Sequence, residues 1–88
     1  MREYPHLSEA ISFVLEQHRL ERGMSKSALA DFAALQRKYL FEIEQGVKKP
    51  TVNAIFSLCE ALQVAPDEFF RQVVNRMKEL QQNDFRPQ

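Results

Sequence analysis

Residues 24–50 read MSKSALADFAALQRKYLFEIEQGVKKP. This stretch decides the fold. Its pattern spells two short helices, a tight joint, and a basic loop closed by a proline. Ser25 is placed to cap the free backbone N–H groups of the first helix. Leu29, Ala30 and Ala33 then recur at helical spacing along one face. The pattern breaks at Ala34 and Leu35. Gln36 or Arg37 opens the second helix, whose inward residues are Leu40 and Ile43. Gly46 ends it, since glycine takes the left-handed conformation of a helix terminus most cheaply. The outward face of the second helix carries Arg37, Lys38, Phe41, Glu42 and Gln45.

Those outward side chains are long and either hydrogen-bond or stack, and they stand on a rod slim enough for the major groove of DNA. Helix, sharp turn and a second helix with a polar outer face form the helix-turn-helix pattern. The residues Gly23-Met24-Ser25, Leu29-Ala30, Leu40, Ile43-Glu44, Gly46 and Pro50 carry a further likeness. Downstream, Thr51, Ile55, Leu58, Leu62, Val64 and Asp67-Glu68-Phe69-Phe70 extend it. As a set, covering residues 9–70, they resemble the phage-repressor and Cro-type (XRE-like) helix-turn-helix domain. The resemblance implies an all-α, five-helix, repressor-like domain whose fourth helix and fifth-helix start lie in the downstream run. It also implies an ion pair. The family has an arginine four residues before the glycine that ends helix 1, and a glutamate two before the glycine that ends the recognition helix. Those positions are Arg19 and Glu44. A fork-shaped guanidinium matches a carboxylate bidentately, which would tie helix 1 to helix 3.

Eighty-eight residues make one small domain. A monomer of this size buries only roughly 60% of its unfolded-chain surface, so association would add stability. A hydrophobic content of 44% with 27% charged residues places the chain among globular proteins. It has no apolar run long enough to span a bilayer and no secretory signal, which points to a cytoplasmic protein. Cys59 stands alone, so neither a disulfide framework nor a metal cluster is expected. The net charge is zero, but its distribution is uneven. Residues 25–50 hold five basic and three acidic residues, while each flanking segment carries a net −1. The small positive excess therefore falls on the helix-turn-helix.

Taken in order, residues 1–7 read as an N-terminal arm, with Pro5 opposing an early helix start. Ser8 is the expected cap of helix 1, which should reach about Arg22 and present Ile11, Leu15 and Leu20 inward. His18 is expected at the surface. Helix 4 should run from Val52 to Leu62 behind the N-cap Thr51, burying Ile55, Phe56, Leu58, Cys59 and Leu62. Pro66 suits the first position of helix 5, and Asp67 and Glu68 suit its positive end. The predicted core is Ile11, Leu15, Leu20, Leu29, Ala33, Leu40, Ile43, Ile55, Leu58, Leu62 and Phe69. Helix 5 looks longer than one domain needs. Phe70, Val73, Met77 and Leu80 are spaced 3, 4 and 3, with Phe69 and Val74 beside them. The domain proper is thus 8–70, and 71–82 is a helical extension; Phe70 at the boundary with Val73, Val74, Met77 and Leu80 would form a homodimer interface. Residues 83–88 read as a tail.

Four positions depart from the family pattern. Lys26 stands where the family often has a glutamine touching the DNA backbone, and it too reaches phosphate. Ala34 stands where glycine is frequent; either it takes a left-handed conformation at roughly 1 kcal/mol, or the joint differs slightly. Phe41 and Glu42 replace small or basic residues; Phe41 suits a thymine methyl, and Glu42 suits cytosine N4.

The resemblance implies a sequence-specific DNA-binding transcriptional regulator, a homodimeric repressor of a palindromic double-stranded operator, with no cofactor. Its DNA-contacting set would be Ser25, Lys26, Gln36, Arg37, Lys38, Phe41, Glu42, Gln45, Lys48 and Lys49. A protein-interaction or antitoxin-like module on the same fold is the alternative, supported by Phe41 and the helix 5 stripe. An enzyme is not indicated: the sequence has no nucleophile–base pair, metal-ligand set or glycine-rich phosphate loop.

Overall fold

The computed structural model describes residues 2–84, and its elements are helices: α1 (Leu7–Glu21), α2 (Lys26–Phe32), α3 (Arg37–Glu44), α4 (Val52–Leu62) and α5 (Pro66–Asp84). Among the described residues there is no strand. All four joints share one device. After α1, α2, α3 and α4 the chain turns through a left-handed residue: Gly23 at φ 66°, Ala34 at φ 57°, Gly46 at φ 76° and Gln63 at φ 58°. In each, two successive N–H groups fold back onto the last turn. Ala34 N–H reaches the Asp31 carbonyl at 3.2 Å and Leu35 N–H the Ala30 carbonyl at 2.9 Å. Gly46 N–H reaches Ile43 at 3.0 Å and Val47 N–H reaches Glu42 at 3.0 Å. This is the Schellman pattern, which satisfies carbonyls a helix end leaves free. Ala34 therefore takes the left-handed alternative of the two that its sequence position allowed.

The N-termini divide into two kinds. Ser25 Oγ accepts the Ala28 N–H at 3.0 Å, and Thr51 Oγ1 accepts the Ala54 N–H at 3.0 Å. Both caps stand where the sequence places them. Ser8 is not a cap: α1 already begins at Leu7, and its N-cap is His6 in a left-handed conformation (φ 65°). Glu9, three residues on, is 2.9 Å from His6 Nδ1. It reaches back like the glutamate of a capping box, but to an imidazole rather than a backbone N–H.

The core joins all five helices through Leu15, Leu29, Leu40, Ile43, Leu58, Leu62 and Phe69, with Ile11, Val14, Ile55, Cys59 and Val73 around them. Three expectations about facing are corrected. Leu20 is 59% exposed. It lies roughly 140° around the helix from Leu15, and the seat one turn after Leu15 belongs to Arg19. Phe56 is 51% exposed, because α4 turns Ala54, Ile55, Leu58, Cys59 and Leu62 inward and leaves Phe56 beside that stripe. Val73 is 2% exposed and sits in the chain's own core, with Met77 packed against it. The expected partner-facing stripe is thus split: Val73 and Met77 belong inside, while Phe70 and Val74 remain exposed. The reason is that α5 lies along α1 for much of its length.

His18 is likewise no plain surface residue. It is half-buried, its Nε2 lies 2.6 Å from Gln72 Oε1, and it links α1 to α5. The helix that was expected to end near residue 82 runs to Asp84. The remainder of the expected tail, residues 85–88, lies outside the described residues. No described helix is long and apolar enough to cross a membrane.

Candidate nucleic-acid interface

The site begins with what fixes α3. Leu40 and Ile43 are fully buried, so the opposite side of the helix is held outward. On the inner side Glu44 is also buried, where Arg19 Nε donates to its Oε2 at 2.8 Å. Arg19 Nη1 donates to the Met24 carbonyl at 2.8 Å. The pairing is therefore a single bond to the carboxylate plus one to backbone, rather than a two-pronged fork. That second bond ties the same arginine to the segment leading into α2. Ser12 Oγ also donates to the Glu44 carbonyl. One buried arginine thus holds α1, the entry of α2 and the end of α3 in a fixed relation.

The outward face carries Arg37, Lys38, Phe41, Glu42 and Gln45, as expected, and Gln36 stands exposed at its N-cap. The structure adds neighbours that linear spacing does not give. Lys26 Nζ lies 5.7 Å from the centre of the Phe41 ring, close enough for a cation–π contact. Phe41, at 37% exposure, is thereby joined to a cation and is not a bare apolar patch. Glu42 lies 4.0 Å from Lys48 Nζ, which offsets its negative charge on this face. Lys49 forms an ion pair with Glu3 of the N-terminal arm. Lys38 makes no ion pair among the described residues. The hydroxyl oxygen of Ser25 is engaged in the α2 cap.

Two participants were missed by sequence reasoning. Tyr39 is half-buried at the edge of α3; its Oη accepts the Thr51 N–H at 3.1 Å, and Lys48 Nζ sits 5.9 Å from its ring centre. It ties the loop bearing Lys48 and Lys49 to the recognition helix. Asp31 in α2 accepts from Arg37 Nε at 3.4 Å and Nη2 at 3.0 Å. The bond to Asp31, and then its charge, hold the Arg37 proton more tightly than usual. Six residues separate the two, a spacing with no meaning inside one helix; only the turn at Ala34 brings them together.

Similarity to known proteins agrees with this arrangement. A family model described as helix-turn-helix matches residues 15–69, well over half of the chain. The chain belongs to this helix-turn-helix family. Every helix-turn-helix residue on the outward face of α3 falls within the match, and α5 beyond Phe69 falls outside it. The transcriptional regulator ClgR of Mycobacterium tuberculosis is 34% identical over 56 residues, 64% of this chain and 50% of that protein. The chain thus spans about half the length of that relative. The HTH-type regulator YqaF of Bacillus subtilis is 34% identical over 64 residues, 73% of this chain and 84% of that protein. Among solved structures, ClgR from Corynebacterium glutamicum superposes with a TM-score of 0.82 at 26% identity, covering 93% of this chain and 88% of that one. The restriction-modification controller protein C.Esp1396I, in complex with its operator, gives a TM-score of 0.74 at 31% identity, covering 85% of this chain and 97% of that one.

Proposed function

We propose that this protein is a sequence-specific DNA-binding transcriptional regulator that inserts α3 into the major groove. The observation that carries the reading is the solvent face of α3. Arg37, Lys38, Phe41, Glu42 and Gln45 share it, with Lys26 on one side and Lys48 and Lys49 on the other. Arg37 and Lys38 reach base edges or phosphates; Phe41 and Glu42 meet neighbouring bases. Ser25, Lys26, Gln36, Gln45, Lys48 and Lys49 hold the sugar-phosphate backbone and set the register. Regulation follows from occupying an operator and so blocking or recruiting the polymerase. C.Esp1396I has been crystallised as a tetramer with its natural 35 base-pair operator, which supports an oligomeric, operator-binding protein here too.

The assembly proposed is a homodimer that uses the exposed part of α5, Phe70 and Val74; Leu80 of the expected interface is half-buried. A two-fold axis there presents two copies of α3 to half-sites roughly 34 Å apart. Selecting bound sequences from random duplex DNA, followed by gel shifts across a salt series, tests the function. A palindromic consensus with strongly salt-dependent affinity is expected. No binding to any fragment at low salt would favour a protein-interaction module instead.

A further inference from the structure

Arg37 and Asp31 are both exposed, with side chains 60% and 61% accessible, so their ion pair contributes little to stability. Their positions are unfavourable as well. Asp31 lies in the last turn of α2, where the helix end carries partial negative charge, and Arg37 is the first residue of α3, where it carries partial positive charge. Each charge stands at the helix end that disfavours it. The pair also places a carboxylate on a face meant for phosphates. An arrangement that gains little stability and works against backbone affinity needs another use.

The geometry supplies one. Asp31 takes the Nε–H and one Nη2–H of Arg37. A guanidinium has five N–H donors in a fixed fork. Holding the side edge leaves the end edge, Nη1 and the outer N–H of Nη2, as a matched donor pair. That pair fits two adjacent acceptors such as O6 and N7 of guanine, the major-groove pattern arginine reads bidentately. Resting on the proposed DNA-binding role, we infer that Asp31 is a specificity-determining positioning residue: it fixes the Arg37 guanidinium so that its free edge selects guanine at one position of each half-site. The long arginine side chain is then ordered before DNA arrives, and binding loses less rotamer freedom. The carboxylate meanwhile repels phosphates, so Arg37 is drawn to a base edge rather than left on the backbone.

The test uses the full chain and the sequence that the wild type selects from random DNA. Affinities are measured for that site and its single-base replacements, with Asp31→Ala, Asp31→Asn and Arg37→Ala. With Asp31→Ala, preference for guanine at one position per half-site should fall by ~5-fold or more, within the range one bidentate contact spans. Affinity for random-sequence DNA should rise, and thermal stability and helical signal should stay unchanged. Arg37→Ala should erase the same preference, and adding Asp31→Ala to it should change that preference no further. An Asp31→Ala protein that keeps full guanine preference, or an Arg37→Ala protein that alters no position, overturns the inference while leaving the DNA-binding role intact. A wild type that selects no sequence overturns both.

Discussion

Arg19 in α1 and Glu44 in α3 form an ion pair with side chains only 9% and 0% exposed. Taking two charges out of water is costly, and the cost is offset on one side only, where Arg19 also reaches the Met24 carbonyl. One atom, Glu44 Oε1, is buried without a hydrogen bond among the described residues. Removing one partner strands the other, so Arg19→Met or Glu44→Leu should each destabilise by roughly 3–5 kcal/mol. The double variant Arg19→Met with Glu44→Leu should lose much less than the sum. Urea denaturation of the four proteins checks this, and strict additivity would dismiss the coupling.

Much of this architecture is legible in the chain because each joint is local chemistry. Ser25 and Thr51 cap, Gly46 turns, and Leu40 with Ile43 fixes which side of α3 faces out; all follow from spacing of a few residues. The errors of facing share one physical origin, which is rotation about a helix axis decided by a distant neighbour. Leu20 lost its inward seat to Arg19 because Glu44, 25 residues later, makes a buried arginine tolerable. On α5, Phe70 and Val73 lie only roughly 60° apart around the axis. Period alone therefore cannot divide the stripe, and the position of α1 puts Val73 inside and Phe70 outside. The same holds for the site. The outward residues of α3 are readable, whereas the Asp31–Arg37 and Lys26–Phe41 contacts depend on how the turn at Ala34 sets one helix against the other.

Cys59 is 1% exposed in the core, and desolvation pushes its thiol pKa up to about 11 from an ordinary value of 9.0. The native state therefore keeps the proton in a range where the unfolded chain releases it. Stability from this group is fully present below pH 9 and falls as pH rises from 9 towards 11. Cys59→Ala or Cys59→Ser should flatten that alkaline loss in thermal scans. In the native protein, thiol reagents at neutral pH should modify Cys59 only as fast as the chain opens. Rapid modification without unfolding would contradict a buried thiol.

Lys26, Lys48 and Lys49 are assigned to phosphates. Neutralising any one with glutamine should weaken binding to all duplex sequences alike and reduce the salt slope by roughly 0.9 per lost contact. Lys49 should show the smallest effect of the three, because DNA must first displace Glu3 from it. Glu3→Gln is therefore expected to tighten binding modestly. A change in the selected sequence on altering these lysines would reassign them to bases.

The α5 surface yields the last prediction, and the structure changes which residues carry it. Aspartate at Val73 or Met77 would unfold the chain's own core, so it cannot report on assembly. Phe70 and Val74, 38% and 47% exposed and one helical turn apart, stand outside the buried core, with the Phe70 ring edge-on to Phe69. Two apolar side chains on a shared face, left in water, gain by meeting their copies across a two-fold axis. Phe70→Asp with Val74→Asp should therefore give a protein that keeps its helical signal and cooperative melting but sediments as a monomer. Operator affinity should fall with dimerisation, since each half-site alone binds weakly and linking two copies raises affinity through effective concentration. Affinity for an isolated half-site should not change. A wild type that stays monomeric at high concentration, or a double variant that stays dimeric, would show that the dimer forms elsewhere or not at all.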